Sequence, residues 1–402
     1  MNDPSADLFL RPGAGRRLGA GHLWVYSNEV DTQRSPLGRF SAGDPVLVRH
    51  ADGRALGSAY MEPQNLICAR LYAPDRTQAL DVPWLLPLLK QALLSREALL
   101  PGSCYRLIYG DSDGIPGLVV DRFGDYLVLQ FHTAGIERYE AVIVTALVEL
   151  LQPRGILLRA DSRSRREQGL DDRIAVVHGE VPAEVPLREN GVAFLAPVFE
   201  GQKTGWFFDH RMARARLGDY AAGKRVLDVY SYIGGWGVQA AAFGAREVCC
   251  VDSSARALEG VAANARANGL QDRVSVLQAP AAEALKELHR QGKSFDLVIL
   301  DPPAFIQRRK DAKKGLKAYQ RINELALNVL EPGGVLVSAS CSMHLARADL
   351  LLLLQGAARR SGCELRVLEQ GGQGPDHPVH PMIPETEYLK SVFARKLNPV
   401  AI

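Results

Sequence analysis

Apolar residues fall into short blocks along the chain, and the rhythm of those blocks changes twice. Up to about residue 75 they form brief runs at Trp24-Val25-Tyr26, 45–48, 55–59 and 66–71, cut by turn signals at Ala42-Gly43-Asp44 and Asp52-Gly53. Pro12, Gly13, Gly15, Gly19 and Gly21 punctuate the start. This spacing predicts a small β-barrel. From 76 to about 190, segments 105–109, 118–121, 126–131 and 156–159 read as strands, and 83–100 and 135–151 read as helices. In the second helix Ile136, Ala141, Val144, Leu147, Val148 and Leu151 carry the apolar stripe. Beyond 191 the runs 226–229, 248–251, 274–277, 295–300 and 335–339 are too short for helices and continuous enough for strands buried on both faces. A helix at 255–268, with Ala257, Leu258, Val261, Ala262 and Ala265 on one face and Gly269 as C-cap, separates two of them. The alternation predicts an α/β fold with a doubly wound parallel sheet in 191–402, preceded by a β-barrel domain in 1–75 and a mixed α/β domain in 76–190.

Polar residues gather where these parallel strands end, which is where open α/β sheets bind ligands. The first run leads through Tyr230-Ser231-Tyr232-Ile233 into Gly234, Gly235 and Gly237, followed by helical Val238, Ala240, Ala241, Ala242 and Phe243. A strand, a glycine turn and a helix leave backbone N–H groups facing a ligand, and the missing Cβ atoms let it approach. Gly235 to Ala240 satisfies G-x-G-x-x-G/A, so a nicotinamide or flavin dinucleotide enzyme is one reading and a purely structural turn another. The second run ends in Asp252, a carboxylate able to accept both hydroxyls of a ribose. The fourth delivers Asp301-Pro302-Pro303-Ala304-Phe305, whose prolines hold Asp301 in a stiff loop. Ser340-Cys341-Ser342 closes the fifth. Four residues between the first strand and its first glycine, and a DPP tip on the fourth strand, both weigh against the dinucleotide reading.

The order of glycine turn, Asp252, DPPAF and SCS resembles that of class I S-adenosylmethionine-dependent methyltransferases. With GQKTGWFFDHR at 201–211 upstream and DHP at 376–378 and PETEYLK at 384–390 downstream, the chain is similar to bacterial 23S ribosomal RNA cytosine-C5 methyltransferases of the RlmI type. Gly-Asp-Pro-Val and Asp-Gly-Arg-x-Leu-Gly near the start resemble that family's PUA domain, a compact RNA-binding pseudobarrel. The resemblance implies a seven-stranded Rossmann-like sheet whose last strand is antiparallel. It further implies that S-adenosylmethionine is held by Lys203, Thr204, Asp209, Arg211, Asp228, Tyr230, Gly234, Gly235, Gly237, Asp252, Ser253 and Asp301. Asp228 would organise the turn or reach the donor's amino group. The family's acidic residue after the third strand is replaced here by Ala279-Pro280, so adenine recognition would rest on backbone N–H groups and apolar stacking.

For the acceptor, the resemblance points to Cys341 and Asp301 as catalytic residues. Carbon-5 of cytosine becomes a nucleophile only after a thiolate adds at carbon-6. A thiol with a free pKa of ~8.5 needs N–H donors or positive charge nearby, for which Ser340, Ser342 and the basic run at 308–317 are candidates. Asp301 would accept from the cytosine amino group or, if protonated, donate to N3, and the base must be unpaired or flipped. Pro302, Pro303, Phe305, Arg308, Arg309 and Lys310 are expected to meet the RNA. Arg163, Arg165 and Arg166 are further RNA candidates, with a solvated loop as the plainer alternative.

Length and composition change this picture little. At 402 residues, 47% hydrophobic and 23% charged, the chain is an ordinary globular protein large enough for two or three domains. No stretch approaches the ~20 apolar residues of a membrane span, and the polar N-terminus lacks signal-peptide character, so a cytoplasmic location is expected. Cysteines 68, 104, 249, 250, 341 and 363 show no zinc spacing, and no metal is expected. The net charge is only +3, but the excess lies in 191–402 and mostly in the run at 308–317, which suits a phosphate backbone as well as a solvated face. Ribosomal RNA of the large subunit is the expected partner, with a homodimer allowed. Two other classes stay open: an RNA N-methyltransferase using DPP without Cys341, and a non-catalytic RNA-binding ribosome assembly factor.

Overall fold

The computed structural model describes residues 6–162, 165–166 and 170–398. They gather into two compact units. One holds the chain up to Leu187 with Ala196–Phe208 and Pro375–Thr386; the other holds Arg188–Leu195, Asp209–Gly374 and the chain from Glu387.

The first unit contains two five-stranded sheets. In the first, β1 (Ala6–Phe9), β2 (Trp24–Tyr26), β3 (Pro45–Arg49), β4 (Ala55–Met61) and β5 (Ile67–Pro74) lie in the order β1-β3-β4-β5-β2. Leu8, Val25, Val46, Val48, Leu71 and Ile383 fill its core. In the second, β6 (Cys104–Tyr109), β7 (Leu118–Phe123), β8 (Tyr126–Phe131), β9 (Gly155–Ala160) and β10 (Arg173–Gly179) lie in the order β10-β9-β8-β7-β6. Helices Val82–Leu99 and Glu140–Leu151 cover this sheet through Leu85, Leu89, Ile143 and Leu147. The helix expected over 135–151 is interrupted: a turn at Ala134–Glu137 ends before Glu140, and in the gap Arg138 pairs with Asp44 while the Tyr139 hydroxyl donates to the Gly43 carbonyl. Two side-chain anchors thus override a continuous helical pattern. Strands β1 and β10 were not expected, and a hairpin of β11 (Val185–Glu189) and β12 (Val192–Ala196) turns at Asn190-Gly191, both with positive φ.

The second unit is built on a seven-stranded sheet. Its strands are β13 (Arg225–Val229), β14 (Glu247–Asp252), β15 (Val274–Gln278), β16 (Phe295–Leu300), β17 (Leu330–Ser340), β18 (Glu364–Gly371) and β19 (Lys390–Leu397). They lie in the order β15-β14-β13-β16-β17-β19-β18. All neighbours up to β17 are parallel, and β19 runs antiparallel to both β17 and β18, as the family's pattern implies. Helices Ala281–Arg290, Ala312–Val329 and Arg347–Arg360 bury Leu285, Ile322, Ala326, Leu350 and Leu354 against Leu227, Val229, Val298, Leu300 and Leu336. Strand β17 begins earlier than expected, at Leu330, and absorbs Pro332-Gly333-Gly334 as an irregularity between the pairs Phe295–Leu330 and Leu297–Val335. Strand order reverses between β13 and β16, so a crevice opens beyond their carboxyl ends. Among the described residues no helix is long and apolar enough to cross a membrane.

Two glycines of the turn after β13 are required by the protein's own packing, a demand that the sequence did not show and that stands beside the ligand approach expected there. Gly234 has φ +87°, and a Cβ there would lie 2.7 Å from Val238 Cγ2. At Gly237 a Cβ would sit 2.4 Å from Cys250 Sγ and 3.0 Å from Asp228 Oδ2, because helix Gly237–Ala242 lies directly on β13 and β14. Gly237→Ala is therefore expected to destabilise this unit by about 1–3 kcal/mol through overpacking. The check is its urea midpoint followed by tryptophan fluorescence; an unchanged midpoint would mean that the contact yields freely.

Candidate active site

Strand β13 ends in a loop that L-residues adopt reluctantly. Tyr230 and Tyr232 have φ values of 68° and 49°, a conformation costing on the order of 1–3 kcal/mol per residue unless the surroundings enforce it. Here they do. The N–H groups of Tyr230 and Ser231 donate to the Val251 carbonyl at 2.9 and 3.0 Å, and Asn264 Nδ2 donates to the Ile233 carbonyl at 2.9 Å. Asp252 Oδ2 accepts from Tyr232 N at 3.0 Å, and its Oδ1 accepts from Ser254 N at 2.9 Å. Asp252 thus braces the loop, and its half-buried carboxylate keeps lone pairs for a diol. Ser253 beside it is exposed.

Beneath the loop Asp228 is fully buried. Its Oδ2 accepts from Gly237 N at 2.8 Å, so one N–H of the glycine turn is already taken by the protein, while Oδ1 has no hydrogen-bond partner. Burial pushes the carboxyl up to about 7; the Gly237 N–H opposes this, and the nearby charges of Asp301 and Asp252 add to it. A buried acceptor left open in this way suits a cationic ligand group. A second network lies behind Gly235. Glu189 takes both arms of Arg214, at 2.6 and 3.0 Å, and the amide of Gln239 at 3.0 Å, while Gln239 Nε2 also donates to the Gly235 carbonyl at 2.9 Å. Arg211, an expected donor-site residue, is buried with Nε 3.8 Å from the same Glu189. Asp209 is also buried, and its carboxylate accepts from His210 N at 3.1 Å and from the Tyr388 hydroxyl at 2.5 Å.

At the end of β16, Asp301 faces two donors that sequence reasoning did not single out. Its Oδ1 lies 3.1 Å from His210 Nε2, and its Oδ2 accepts from Trp236 Nε1 at 3.0 Å. Burial alone would raise this carboxyl, but His210 and the indole N–H outweigh it and hold Asp301 below the usual carboxylate range. Asp301 is therefore an acceptor, which disfavours the protonated form considered from sequence. Pro302 is buried, Pro303 exposed, and the half-buried Phe305 ring meets that of Tyr319 at 4.7 Å between centroids.

Tyr319 joins this loop to the end of β17. Its hydroxyl receives a hydrogen bond from Ser340 Oγ at 2.8 Å, shares one with Ser342 Oγ at 2.8 Å and lies 3.4 Å from Phe305 N, while Ile306 N donates to Ser342 Oγ at 3.2 Å. Both serines are fully buried and engaged here, so they are loop fasteners rather than the thiol-activating donors expected. Cys341 between them is a half-buried thiol. The cation beside it comes from elsewhere than expected: Lys390, the first residue of β19, is buried and donates to the Ser342 carbonyl at 2.7 Å. Arg308, Arg309 and Lys310, with Lys313, Lys314 and Lys317, are instead exposed around the start of helix Ala312–Val329.

Two expected donor-site residues belong to the first unit. Thr204 is buried, and its hydroxyl donates to Asp121 Oδ2 at 2.5 Å, the carboxylate that also takes Arg106 at 2.8 and 2.9 Å. Lys203 Nζ lies 4.4 Å from the centre of the Phe207 ring. Of the arginines considered for RNA, Arg163 lies outside the described residues. Arg165 is buried and paired with Glu137, which withdraws it from solvent, whereas Arg166 is exposed and pairs with Asp172 at the surface. Among the described residues no His, Cys, Asp and Glu cluster could hold a metal ion.

Comparison with known proteins agrees with this geometry. Residues 143–392 match the model of the S-adenosylmethionine-dependent methyltransferase family, and residues 8–74 match that of the PUA-like domain. The chain is 35% identical over 397 residues to ribosomal RNA large subunit methyltransferase I of Aeromonas salmonicida, covering 97% of this chain and 99% of that protein. Identity to the protein of the same name from Shewanella denitrificans is 35% over 392 residues, 96% of this chain and 98% of the relative. In fold, a candidate methyltransferase from Streptococcus mutans superposes with a TM-score of 0.82 at 22% identity, covering 97% of this chain and 100% of that one. A candidate methyltransferase solved with SAH gives the same values.

The residues fit such a donor: Asp228 offers a buried open acceptor for its ammonium, and Asp252 offers lone pairs for its ribose. Because the Asp228 carboxyl is raised, the folded protein holds its proton more tightly than the unfolded chain. Without ligand, stability is expected to fall as pH rises from about 4 towards 7. Donor affinity, in contrast, is expected to strengthen as pH rises through about 7 and the carboxylate forms. Asp228→Asn should abolish this rise and weaken S-adenosylmethionine binding about tenfold or more at pH 8. Calorimetric titration across pH 6 to 8 is the check, and an unaltered pH profile in the variant would remove Asp228 from the donor site.

Proposed function

The chain belongs to the S-adenosylmethionine-dependent methyltransferase family, and from that premise we propose that it methylates carbon-5 of a cytosine in 23S ribosomal RNA through a covalent Cys341 adduct. The observation that carries this reading is a half-buried thiol at the end of β17 fastened through Tyr319 to the loop bearing Asp301 at the end of the adjacent β16. The thiol and the carboxylate thereby flank one crevice.

The donor, when bound, supplies an electrophilic methyl group. Asp301, ionised and fixed by His210 and Trp236, accepts a hydrogen bond from the cytosine exocyclic amine and so orients the ring. The Cys341 thiolate adds at carbon-6, making carbon-5 nucleophilic; loss of the carbon-5 proton then expels the sulfur. Phe305 and exposed Pro303 offer apolar surface for a base taken out of its stack. The PUA-like domain and the exposed basic turn at 308–310 are taken as RNA-binding surfaces, and large-subunit ribosomal RNA is the substrate named for the relatives.

Cys341→Ala is expected to bind donor and RNA yet lose turnover. Cys341→Ser should be nearly as inactive, because a serine hydroxyl is scarcely ionised near neutral pH without a dedicated base. RNA carrying 5-fluorocytosine at the target should trap the unaltered enzyme, with the adduct mapping to Cys341 by mass spectrometry. Substantial methylation by the alanine variant would move the reading to an N-methyltransferase, and absence of any methylation despite RNA binding would move it to an assembly factor. For the basic turn, neutralising Arg308, Arg309 and Lys310 should flatten the salt dependence of RNA affinity by roughly two to three units of log–log slope with donor affinity unchanged. An unchanged slope would leave those residues as ordinary surface.

A further inference from the structure

We propose that Lys390 keeps Cys341 in its thiolate form, its buried ammonium standing on the strand that pairs with the one ending at the thiol; this rests on the reading of Cys341 as the nucleophile. Residue Lys390 opens β19, and in the antiparallel pairing of β17 with β19 its partner is Ser340, the residue before Cys341. Lys390 Nζ donates to the carbonyl of Ser342, the residue after Cys341, at 2.7 Å. The residue is therefore tied to the segment on both sides of the cysteine, by its backbone register at Ser340 and by its ammonium at Ser342. Only 5% of Lys390 is exposed, so its charge is largely removed from water.

Such a charge requires a counter-charge, and among the described residues no carboxylate lies within ion-pair distance of it. Among the described residues Lys390 forms no ion pair with Asp or Glu; the neighbouring Glu387 lies 3.7 Å from Arg347 instead. The ionisable groups acting on Lys390 are Cys341, Arg347 and Glu387. Burial pulls its ammonium down to about 8, with Arg347 adding to the fall, whereas the Cys341 thiolate and Glu387 support it. Tyr319, the other ionisable group at the loop, is pushed up by burial against its hydrogen bonds from the serines, and a Cys341 thiolate raises it further, so its hydroxyl stays neutral. The thiol is thus the group left to balance Lys390, and at neutral pH the pair exists as ammonium and thiolate.

The charge bookkeeping of the reaction closes with this arrangement. The thiol proton has already gone to solvent in the resting enzyme. On addition, a sulfur electron pair forms the bond to carbon-6 and the negative charge moves into the pyrimidine. The carbon-5 pair then takes the methyl group as the methyl–sulfonium bond breaks with its electrons left on the departing neutral thioether; the carbon-5 proton leaves to water, the C–H electrons restore the 5,6 double bond, and the C–S pair returns to sulfur beside Lys390. One proton is released per methyl group transferred, and Lys390 keeps its own throughout.

The test uses the full chain without RNA. Iodoacetamide alkylation of Cys341 is followed by peptide-resolved mass spectrometry from pH 5 to 10, with circular dichroism confirming the fold of each variant. The unaltered protein is expected to show a midpoint at least one unit below the ~8.5 of a free thiol. In Lys390→Met the midpoint should rise by at least one unit and alkylation at pH 7 should slow about tenfold, while Lys390→Arg should restore the low midpoint. A midpoint equal in the methionine variant and the unaltered protein overturns the proposal. So does a midpoint of 8.5 or above in the unaltered protein, whatever the variants do. The nucleoside product, analysed separately, keeps the two readings apart: a Lys390-dependent midpoint with a product other than 5-methylcytosine upholds the ion pair and removes the carbon-5 chemistry. The reverse pattern removes the ion pair alone.

Discussion

The hydroxyl of Tyr319 is the point on which the second unit's crevice depends. Two parallel strands, β16 and β17, leave the sheet side by side and end in loops with no backbone ladder to hold them together. One phenol, projecting from the long helix Ala312–Val329, meets Ser340, Ser342 and the N–H of Phe305. Its ring contacts Phe305, and it is buried without exposed surface. A fixed aromatic side chain loses little freedom in such a role, and three polar contacts at one oxygen fix position as well as energy. Asp301 and Cys341 owe their relation to this oxygen more than to anything in their own local sequence.

Electrostatics divides the crevice into two halves with opposite needs. Around β13 and β14, Asp228, Asp252 and Asp301 concentrate negative charge, and the sharing of that burden is uneven. Asp301 receives His210 and Trp236 and stays ionised, whereas Asp228, with one oxygen unpaired, gives up its charge near neutrality. A carboxylate kept half-satisfied in this way costs stability in the free protein and is retained where a ligand later supplies the missing partner. Around β17 and β19 the imbalance is reversed, with Lys390 as a buried cation that forms no ion pair with a carboxylate among the described residues. The same low-dielectric interior thus holds an open acceptor at one end and a buried cation at the other.

Much of the second unit was legible because its strands are buried on both faces and therefore spell continuous apolar runs; 226–229, 248–251 and 295–300 fall within a residue or so of β13, β14 and β16. Edge strands were harder to read. Strand β10 exposes Ile174 and Val176, and β1 is four residues of mixed polarity paired with β3 some forty positions later, so neither has a periodicity to detect. The hairpin at Asn190-Gly191 did carry a readable turn signal, flanked by alternating Val185, Leu187, Glu189 and Val192, Phe194, Ala196, and was overlooked. Site residues with a motif around them, Asp228, Asp252, Asp301 and Cys341, were nameable. Glu189, His210, Trp236, Gln239, Tyr319 and Lys390 were not assigned roles, since each looks like ordinary core or surface until the fold brings it to a partner up to 91 positions away, as with His210 and Asp301.

The place of β19 has a consequence for assembly. It is last in sequence but next to last in the sheet, wedged between β17 and β18, both of which precede it in the chain. The parallel part from β15 to β17 can form from residues already made, yet β18 has no neighbour to pair with and β17 keeps an open edge until β19 arrives. Because the first residue of that strand is Lys390, the step that seals the sheet's open edge is also the step that delivers the cation to the end of β17. A chain interrupted before that strand would expose a sticky edge and lack the lysine at once, so closure of the sheet and placement of the lysine arrive as a single event.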